Sequence, residues 1–409
     1  MFEANSVVFR DLLSTTKDGD WGKGGLQEGY APVHVIRGTD FSEVRRGRTT
    51  GVPLRYLAEK TMHRRMLRSG DILIETAGGS RDRPTGRTVL ITQEILDAFP
   101  GDVTCASFAR FLRVDPLVAS PQYVYWYLQY LYTRGDMWNH QVQHTGVARF
   151  QYTRFADVQE IPLPGRSEQD AIAGTLGVLD EKITVNGRIA TTTDRLASSI
   201  FSTMMAGCPA PEEATLGEVA MVNSNSIKPA SSGSLRYIDI SSVGVGSYGW
   251  PDRIAWGDAP GRARRAAPVG STVWSTVRPN RRSHALVLDE DPDLVFSTGL
   301  AVLTPQSVGP AFLYEATRTA EFQTYLESVA EGSAYPAVRA ERFKEAPLLL
   351  PNSMERNRFE EAVMAMRQRA HHAAVESRKL ASLRDTLLPQ LMSGHLRSKD
   401  AEKIVEDHT

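Results

Sequence analysis

Two cysteines in 409 residues, Cys105 and Cys208, are too few for a disulfide framework and lack metal-ligand spacing. Nothing approaches the roughly eighteen consecutive apolar residues of a membrane span, so no helix is expected to cross a membrane. The opening MFEANSVVFRDLL has neither a basic stretch nor a long apolar run, so no secretory signal is expected and the expected compartment is the cytoplasm. Also missing are a serine elbow, an HExxH pair, the Asn/Asp-Pro-Pro-aromatic motif of methyltransferases and a nuclease-type carboxylate cluster. Gly78-Gly79-Ser80 lacks the Lys-Ser/Thr of a phosphate-binding loop. Gly244-Val245-Gly246-Ser247-Tyr248-Gly249 fits GxGxxG, but Trp250-Pro251-Asp252 follows where a dinucleotide site needs a helix. His140, His144, His371 and His372 have no carboxylate or cysteine at ligand spacing. A net charge of −1 announces no polyanionic partner. The chain is therefore read as non-catalytic, with no metal or cofactor of its own.

What is present is periodicity. In IPLPGRSEQDAIAGTLGVLDEKITVNGRIATTTDRLASSIFSTMM (161–205) apolar residues recur at Ile172, Leu176, Leu179, Ile183, Ile189, Leu196, Ile200 and Met204, one face of a helix. Ser167, with Asp170 three residues on, is the expected cap, and Gly207 and Pro209 the expected stop. Helix from Glu168 to Met205 would be roughly 57 Å long, beyond an ordinary core helix. The plan returns near the C-terminus. After Pro351, Asn352 and Glu355 form a second cap candidate, and an apolar stripe runs through Phe359, Val363, Met366, Leu380, Leu387 and Leu391. Each stripe needs a partner, and the two helices are expected to pack together.

The remaining chain forms two blocks that repeat one another. Gly70-Asp71-Ile72-Leu73-Ile74-Glu75-Thr76 has its counterpart in Gly270-Ser271-Thr272-Val273-Trp274-Ser275-Thr276, and Val35 to Asp40 in Tyr237 to Ser242. A Gly/Arg-rich loop follows in each, GGSRDRPTGR and VRPNRRSH. Late turns, HTGVARF and EGSAYPAV, precede both extended approaches to the helices. The expected architecture is mixed α/β (α+β): a domain over 1–160, a helix over 161–207, a second domain over 208–345, a helix over 346–394 and a disordered tail over 395–409.

Charge is local. Between Arg37 and Arg87 there are twelve Lys/Arg against six Asp/Glu, and between Arg253 and His284 seven Arg against the single Asp258. Basic loops after matching strands suit duplex DNA, and arginine suits bidentate contact with guanine as well as phosphate. Ion-paired surface is the plainer alternative for any one of them. The run Tyr123, Tyr125, Trp126, Tyr127, Tyr130, Tyr132 is better explained as core than as a base-stacking platform.

At this point the residues carry a family resemblance. Ile161-Pro162-Leu163-Pro164, Glu168-Gln169, Leu179-Asp180-Glu181-Lys182-Ile183, Asn186, Leu196-Ala197 and Ile200-Phe201 resemble the central spacer of type I restriction–modification specificity subunits. Leu383-Arg384-Asp385-Thr386-Leu387-Leu388-Pro389-Gln390-Leu391-Met392-Ser393-Gly394 resembles their distal spacer, and the Gly70 and Gly270 strands sit where their recognition domains carry similar ones. The departures are Gly165-Arg166 and Asn352-Ser353-Met354 at the helix starts. The resemblance implies two similar target-recognition domains separated by two long antiparallel, coiled-coil-like spacer helices in pseudo-two-fold arrangement. It implies a subunit that reads a split, asymmetric site on double-stranded DNA. Two DNA-methyltransferase subunits holding S-adenosylmethionine and endonuclease/translocase subunits using ATP and Mg would join it, with no membrane involved. Expected DNA contacts are Arg81, Arg83, Arg87, Arg149 and Arg154, then Arg278, Asn280, Arg281, Arg282 and Arg339. Expected partner contacts are Leu179, Ile183, Leu196, Ile200, Leu380, Leu383 and Leu387. The helix pair would then set the separation of the half-sites. Two other classes stay open: a coiled-coil scaffold that binds only protein, which leaves the paired Arg loops idle, and an enzyme with an unrecognised site.

Overall fold

A computed structural model describes residues 5–80, 83–144, 147–332 and 335–408. The chain divides into two compact units, Met1–Arg188 with Val375–Thr409, and Ile189–Ala374. Both long helices are shared between them, so the divisions fall inside helices rather than at loops.

In the first unit a four-stranded antiparallel sheet runs Leu13–Asp18, Ala109–Val114, Ile72–Glu75, Thr88–Leu90. A second sheet runs Leu54–Ala58, Tyr30–Ile36, Val103–Cys105, its last pair parallel. Ile72–Glu75 is buried on both faces, which its unbroken apolar run requires. The helix Pro121–Thr133 covers the first sheet, burying Tyr123, Tyr125, Trp126, Tyr127 and Tyr130; the aromatic run is core.

The second unit repeats the plan. Its four-stranded antiparallel sheet runs Ala220–Val222, Leu300–Pro305, Thr272–Ser275, His284–Leu286. Its other sheet runs Arg253–Ala255, Ser234–Ile238, Leu294–Ser297, Ala263–Arg265, with the central pair parallel. Gly70 and Gly270, both at positive φ (91° and 88°), open the corresponding strands, and a Cβ on them would meet Pro121 and Pro310 respectively. Those prolines begin corresponding helices, Pro121–Thr133 and Pro310–Ala316. The repeat read from sequence is thus a repeat of topology.

The extended approaches do pair. Asn5–Val8 lies antiparallel to Glu160–Leu163, and Glu212–Thr215 to Pro347–Leu350, so each domain is closed by a ribbon from its two ends. A long helix leaves each ribbon. The first spans Arg166–Ala206 and the second Ser353–Met392. Asn352 caps the second as expected, its Oδ1 accepting from the Glu355 N–H at 3.0 Å. Ser167 does not cap the first, which already begins at Arg166; Arg166 there pairs with Asp170 at 3.0 Å instead.

Within each unit the two helix segments run antiparallel. Leu176, Leu179, Leu380, Leu387 and Leu391 share the first unit's core, where Asp180 meets Arg384 and Asn186 meets Glu376. In the second, Phe201 packs on Phe359 at 5.6 Å and Asp194 meets Arg367. The tail expected to be disordered is corrected: Ser398–Glu406 is a helix that buries Ala401 and Val405 in the first unit's core. Its first turn is held by Glu168, which accepts from the Ser398 Oγ at 2.9 Å. Charge suggested disorder, but Ala401, Ile404 and Val405 fall on one helical face and found an apolar surface to cover.

Candidate nucleic-acid interface

Part of the basic complement is paired with acids of the same unit. In the first unit Arg37 pairs with Asp40, Arg45 with Asp180, Arg46 and Arg48 with Glu43, Arg110 with Asp18, and Arg113 with Asp71. In the second, Arg236 and Arg253 take Asp291, and Arg253 also takes Asp293, the acidic run that balances the total. Of the arginines with no acid partner among the described residues, several lie at one place in each domain, while others, among them Arg55, Arg64 and Arg264, lie elsewhere.

In the first domain this place is the segment after Ile72–Glu75. The Phe150 N–H donates to the Thr76 carbonyl at 2.9 Å, Ala77 bridges to Arg149, and the Gly78 N–H donates to the Ala148 carbonyl at 3.2 Å. The hairpin Gln141–His144 and Val147–Phe150 is thereby laid against the loop. Thr85 donates to Gln141 Oε1 through its N–H at 2.9 Å, fixing the return. Arg149 and Arg83 are exposed, and neither has a carboxylate partner among the described residues. Arg154, on Tyr152–Val158, is exposed too; burial first, and the Arg154 charge second, lower the His140 imidazole below its usual range. Arg87 is different. It grips the buried Glu75 with two bonds of 2.9 and 2.7 Å and donates to the Gly38 carbonyl at 2.7 Å, so it braces the loop rather than facing solvent. Arg81 lies outside the described residues.

In the second domain the same backbone scheme carries other side chains. The Val338 N–H donates to Thr276 at 2.8 Å, Val277 bridges to Ala337, and the Arg278 N–H donates to Pro336 at 2.7 Å. A single 3-10 turn, Pro279–Arg281, is flanked by Arg278 and Arg282, both in the left-handed region at φ 53° and 54°. Of the described non-glycine residues only Asn223 shares that sign of φ. Such backbone is strained for a residue with a Cβ and concentrates where surroundings dictate it. Arg278, Asn280, Arg281 and Arg282 are thereby brought together, Arg281 and Arg282 exposed, none with a carboxylate partner among the described residues. Arg339 is exposed as well but bonded to Glu331 at 2.8 Å.

The turn rests on a built platform. His284 stacks on Trp274 at 4.8 Å and lies beside Tyr314. Its Nδ1 is 2.6 Å from the Arg282 carbonyl, which can only accept, so Nδ1 carries the proton. Burial, then the nearby Arg318 charge, push its pKa down to about 4, so the ring is neutral at pH 7. Beside the turn is a cavity of about 340 Å³ lined by Tyr237, Asp239, Arg262, Arg278, Arg281 and Tyr335. Tyr335 and Arg262 were not foreseen. The Tyr335 ring lies under the Arg278 guanidinium at 4.7 Å, a contact that only the pairing of distant segments creates.

The expected partner contacts need correction. Leu179, Leu380 and Leu387 are buried against their own chain, with Ile183 and Leu383 packed beside them. Ile200 is partly buried in the second unit's core, and Leu196 alone of the set is exposed, at 47%. The periodic stripe is a seam, and the paired helix segments of each unit bury it themselves. On the two long helices, the large apolar residues left exposed among the described residues are Val178, Val185, Leu196 and Met354. Among the described residues no three His, Cys, Asp or Glu side chains gather as a metal site, and no helix is long and apolar enough to cross a membrane.

No family model and no curated protein matches the chain. Solved structures do. A type I restriction–modification system S subunit from M. genitalium is 18% identical over 95% of this chain and 96% of its own, with a TM-score of 0.58. The chain has the fold of that subunit. An HsdS subunit from Thermoanaerobacter tengcongensis is 17% identical over 96% of this chain and 97% of its own, at a TM-score of 0.35. A chain from a structure describing complex assembly and conformational transition of the type I R-M system is 16% identical over 96% and 98%, at 0.38. The last two superpose too loosely to bear on the fold.

Proposed function

We propose that this chain is the DNA-specificity subunit of a type I restriction–modification complex. It reads a split, asymmetric site on double-stranded DNA and positions subunits that do the chemistry. One observation carries the reading: two domains of repeated topology use the same backbone scheme to present a loop region with arginines that have no acid partner among the described residues, Arg83 and Arg149 in the first and Arg278, Arg281 and Arg282 in the second. A protein-only scaffold gives no reason for two such loops. The fold shared with an S subunit supports the same assignment. S-adenosylmethionine would be held by methyltransferase partners, and ATP and Mg by endonuclease/translocase partners. The exposed Val178, Val185 and Leu196 offer such partners apolar contact on the first long helix.

The test uses exposed residues of the turn. Arg281→Ala and Arg282→Ala should each weaken duplex binding roughly 5- to 150-fold without lowering the unfolding temperature. Unchanged affinity and unchanged salt dependence in both would remove the turn from the interface. Methylation should appear only when a methyltransferase subunit is added. Turnover by the isolated chain would show that it is an enzyme instead.

A further inference from the structure

The two loops can be aligned through their hydrogen bonds rather than their sequences. Phe150 to Thr76 corresponds to Val338 to Thr276, the Ala77–Arg149 bridge to the Val277–Ala337 bridge, and Gly78 to Ala148 corresponds to Arg278 to Pro336. Position 78 is therefore equivalent to 278, and 149 to 337. Each domain has one arginine and one small residue at this crossing, in opposite places: Gly78 with Arg149 in the first, Arg278 with Ala337 in the second. The backbone is at positive φ in both, 147° at Gly78 and 53° at Arg278. Glycine is the unstrained choice there, so a side chain at 278 stands against backbone preference.

That side chain is also oriented. Its guanidinium lies 4.7 Å from the Tyr335 ring centroid and lines the cavity that Arg262, Arg281 and Asp239 share. Stacking fixes a guanidinium's plane while leaving its N–H edges available. A planar fork of donors matches the O6 and N7 acceptors that guanine presents in the major groove. Exposed Arg281 and Arg282 lack such a platform among the described residues and suit the less directional phosphate.

We propose that positions 78/149 and 278/337 set the base preference of the two domains, with Arg278 reading a guanine in the second domain's half-site and Arg149 its counterpart in the first. This rests on the DNA-specificity reading above. The variants are Arg278→Gly, which restores the residue favoured by that backbone and so keeps the fold, Arg278→Lys, which keeps charge but loses the fork, and Arg149→Ala. Each full-length chain, alone and bound to a methyltransferase subunit, is used to select from a pool of randomised 30-base-pair duplexes, followed by titration at two salt concentrations. Wild type should enrich a two-part motif. Arg278→Gly and Arg278→Lys should both lose preference for guanine at one position of one half, by roughly 5- to 150-fold, with every other position retained. Arg149→Ala should relax one position in the other half. A uniform loss over all sequences with a flatter salt slope, restored by Arg278→Lys, would make Arg278 a phosphate contact and overturn the inference. An enriched wild-type motif that Arg278→Gly leaves unaltered would overturn it too, with the DNA reading intact. No enriched motif from wild type would instead sink the DNA reading, and this inference with it.

Discussion

Arg87 and Arg278 looked alike as members of basic loops, and their surroundings separate them. Arg87 is tied to buried Glu75, whereas Arg278 stacks on a tyrosine and has no carboxylate partner among the described residues. Pairing of this kind depends on which strand lies opposite, so composition could only say that some of the loop arginines would be free. Similar reasoning applies to His284, which no sequence pattern marked. Its folded pKa of about 4 lies below the unfolded value of 6.5, so the unfolded chain takes up the proton first as pH falls. Stability owed to the neutral ring is complete above about pH 6.5 and should drop by about 3 kcal/mol between there and about pH 4. His284→Phe, which keeps an aromatic on Trp274 but cannot titrate, should flatten that part of the stability profile relative to wild type. Parallel profiles for the two proteins would show that the ring carries no such linkage.

Helices and domains in this chain are joined by charge as well as by apolar contact. In the first unit Asp180 on the first long helix accepts from Arg45 of the domain at 2.8 Å and from Arg384 of the second long helix at 2.5 Å. The second unit repeats the device in other residues. Asp194 accepts from Arg318 at 2.9 Å and Arg367 at 2.6 Å, and both arginines also reach the buried Glu315. Burial alone would raise the Asp194 carboxyl, but bonds from Arg318 and Arg367 hold it below the usual carboxylate range. Above each cluster lies a buried tyrosine, Tyr125 or Tyr314, whose hydroxyl burial pushes up to about 12. Removing Glu315 leaves two partly desolvated guanidinium groups sharing one exposed-side acid. Glu315→Ala should therefore cost about 3 kcal/mol and lower the urea midpoint of the affected transition, with exposed Glu321→Ala as an unchanged control. Equal midpoints for the two variants would mean that the cluster contributes nothing net.

At the scale of the molecule, the repeat gives two domains of one design and two long helices of nearly equal length, 41 and 40 residues. If the chain reads a split site, the helices are the natural measure of the gap. A matched insertion of about four residues in both helices adds ~6 Å of rise and should lengthen the preferred spacer by one or two base pairs. Both half-sites should keep their sequence, since no reading loop has changed. Affinity should fall, because each added base pair also turns the distal half-site about the duplex axis. Methylation mapped across a genome with the insertion variant decides it. Recovery of the original spacer at full activity would show that the helices do not measure DNA.

The sequence by itself determined the two long helices, their apolar seam, the repeat of two α/β domains and the identity of the two loops. All of these are local or periodic signals: a stripe at helical spacing, a Gly-led apolar strand, a cap such as Asn352, an approach such as Leu348 to Pro351. Short strands such as Ala220–Val222 and Arg253–Ala255 escaped because three residues carry no period and are held by their neighbours' hydrogen bonds. The helix Ser398–Glu406 escaped because only the surface it meets makes its apolar face worth folding. Which arginines are braces and which are left without an acid partner among the described residues was decided by tertiary structure alone. An ion pair such as Arg87 with Glu75, or a stack such as Arg278 on Tyr335, joins residues whose nearness exists only after the strands have paired.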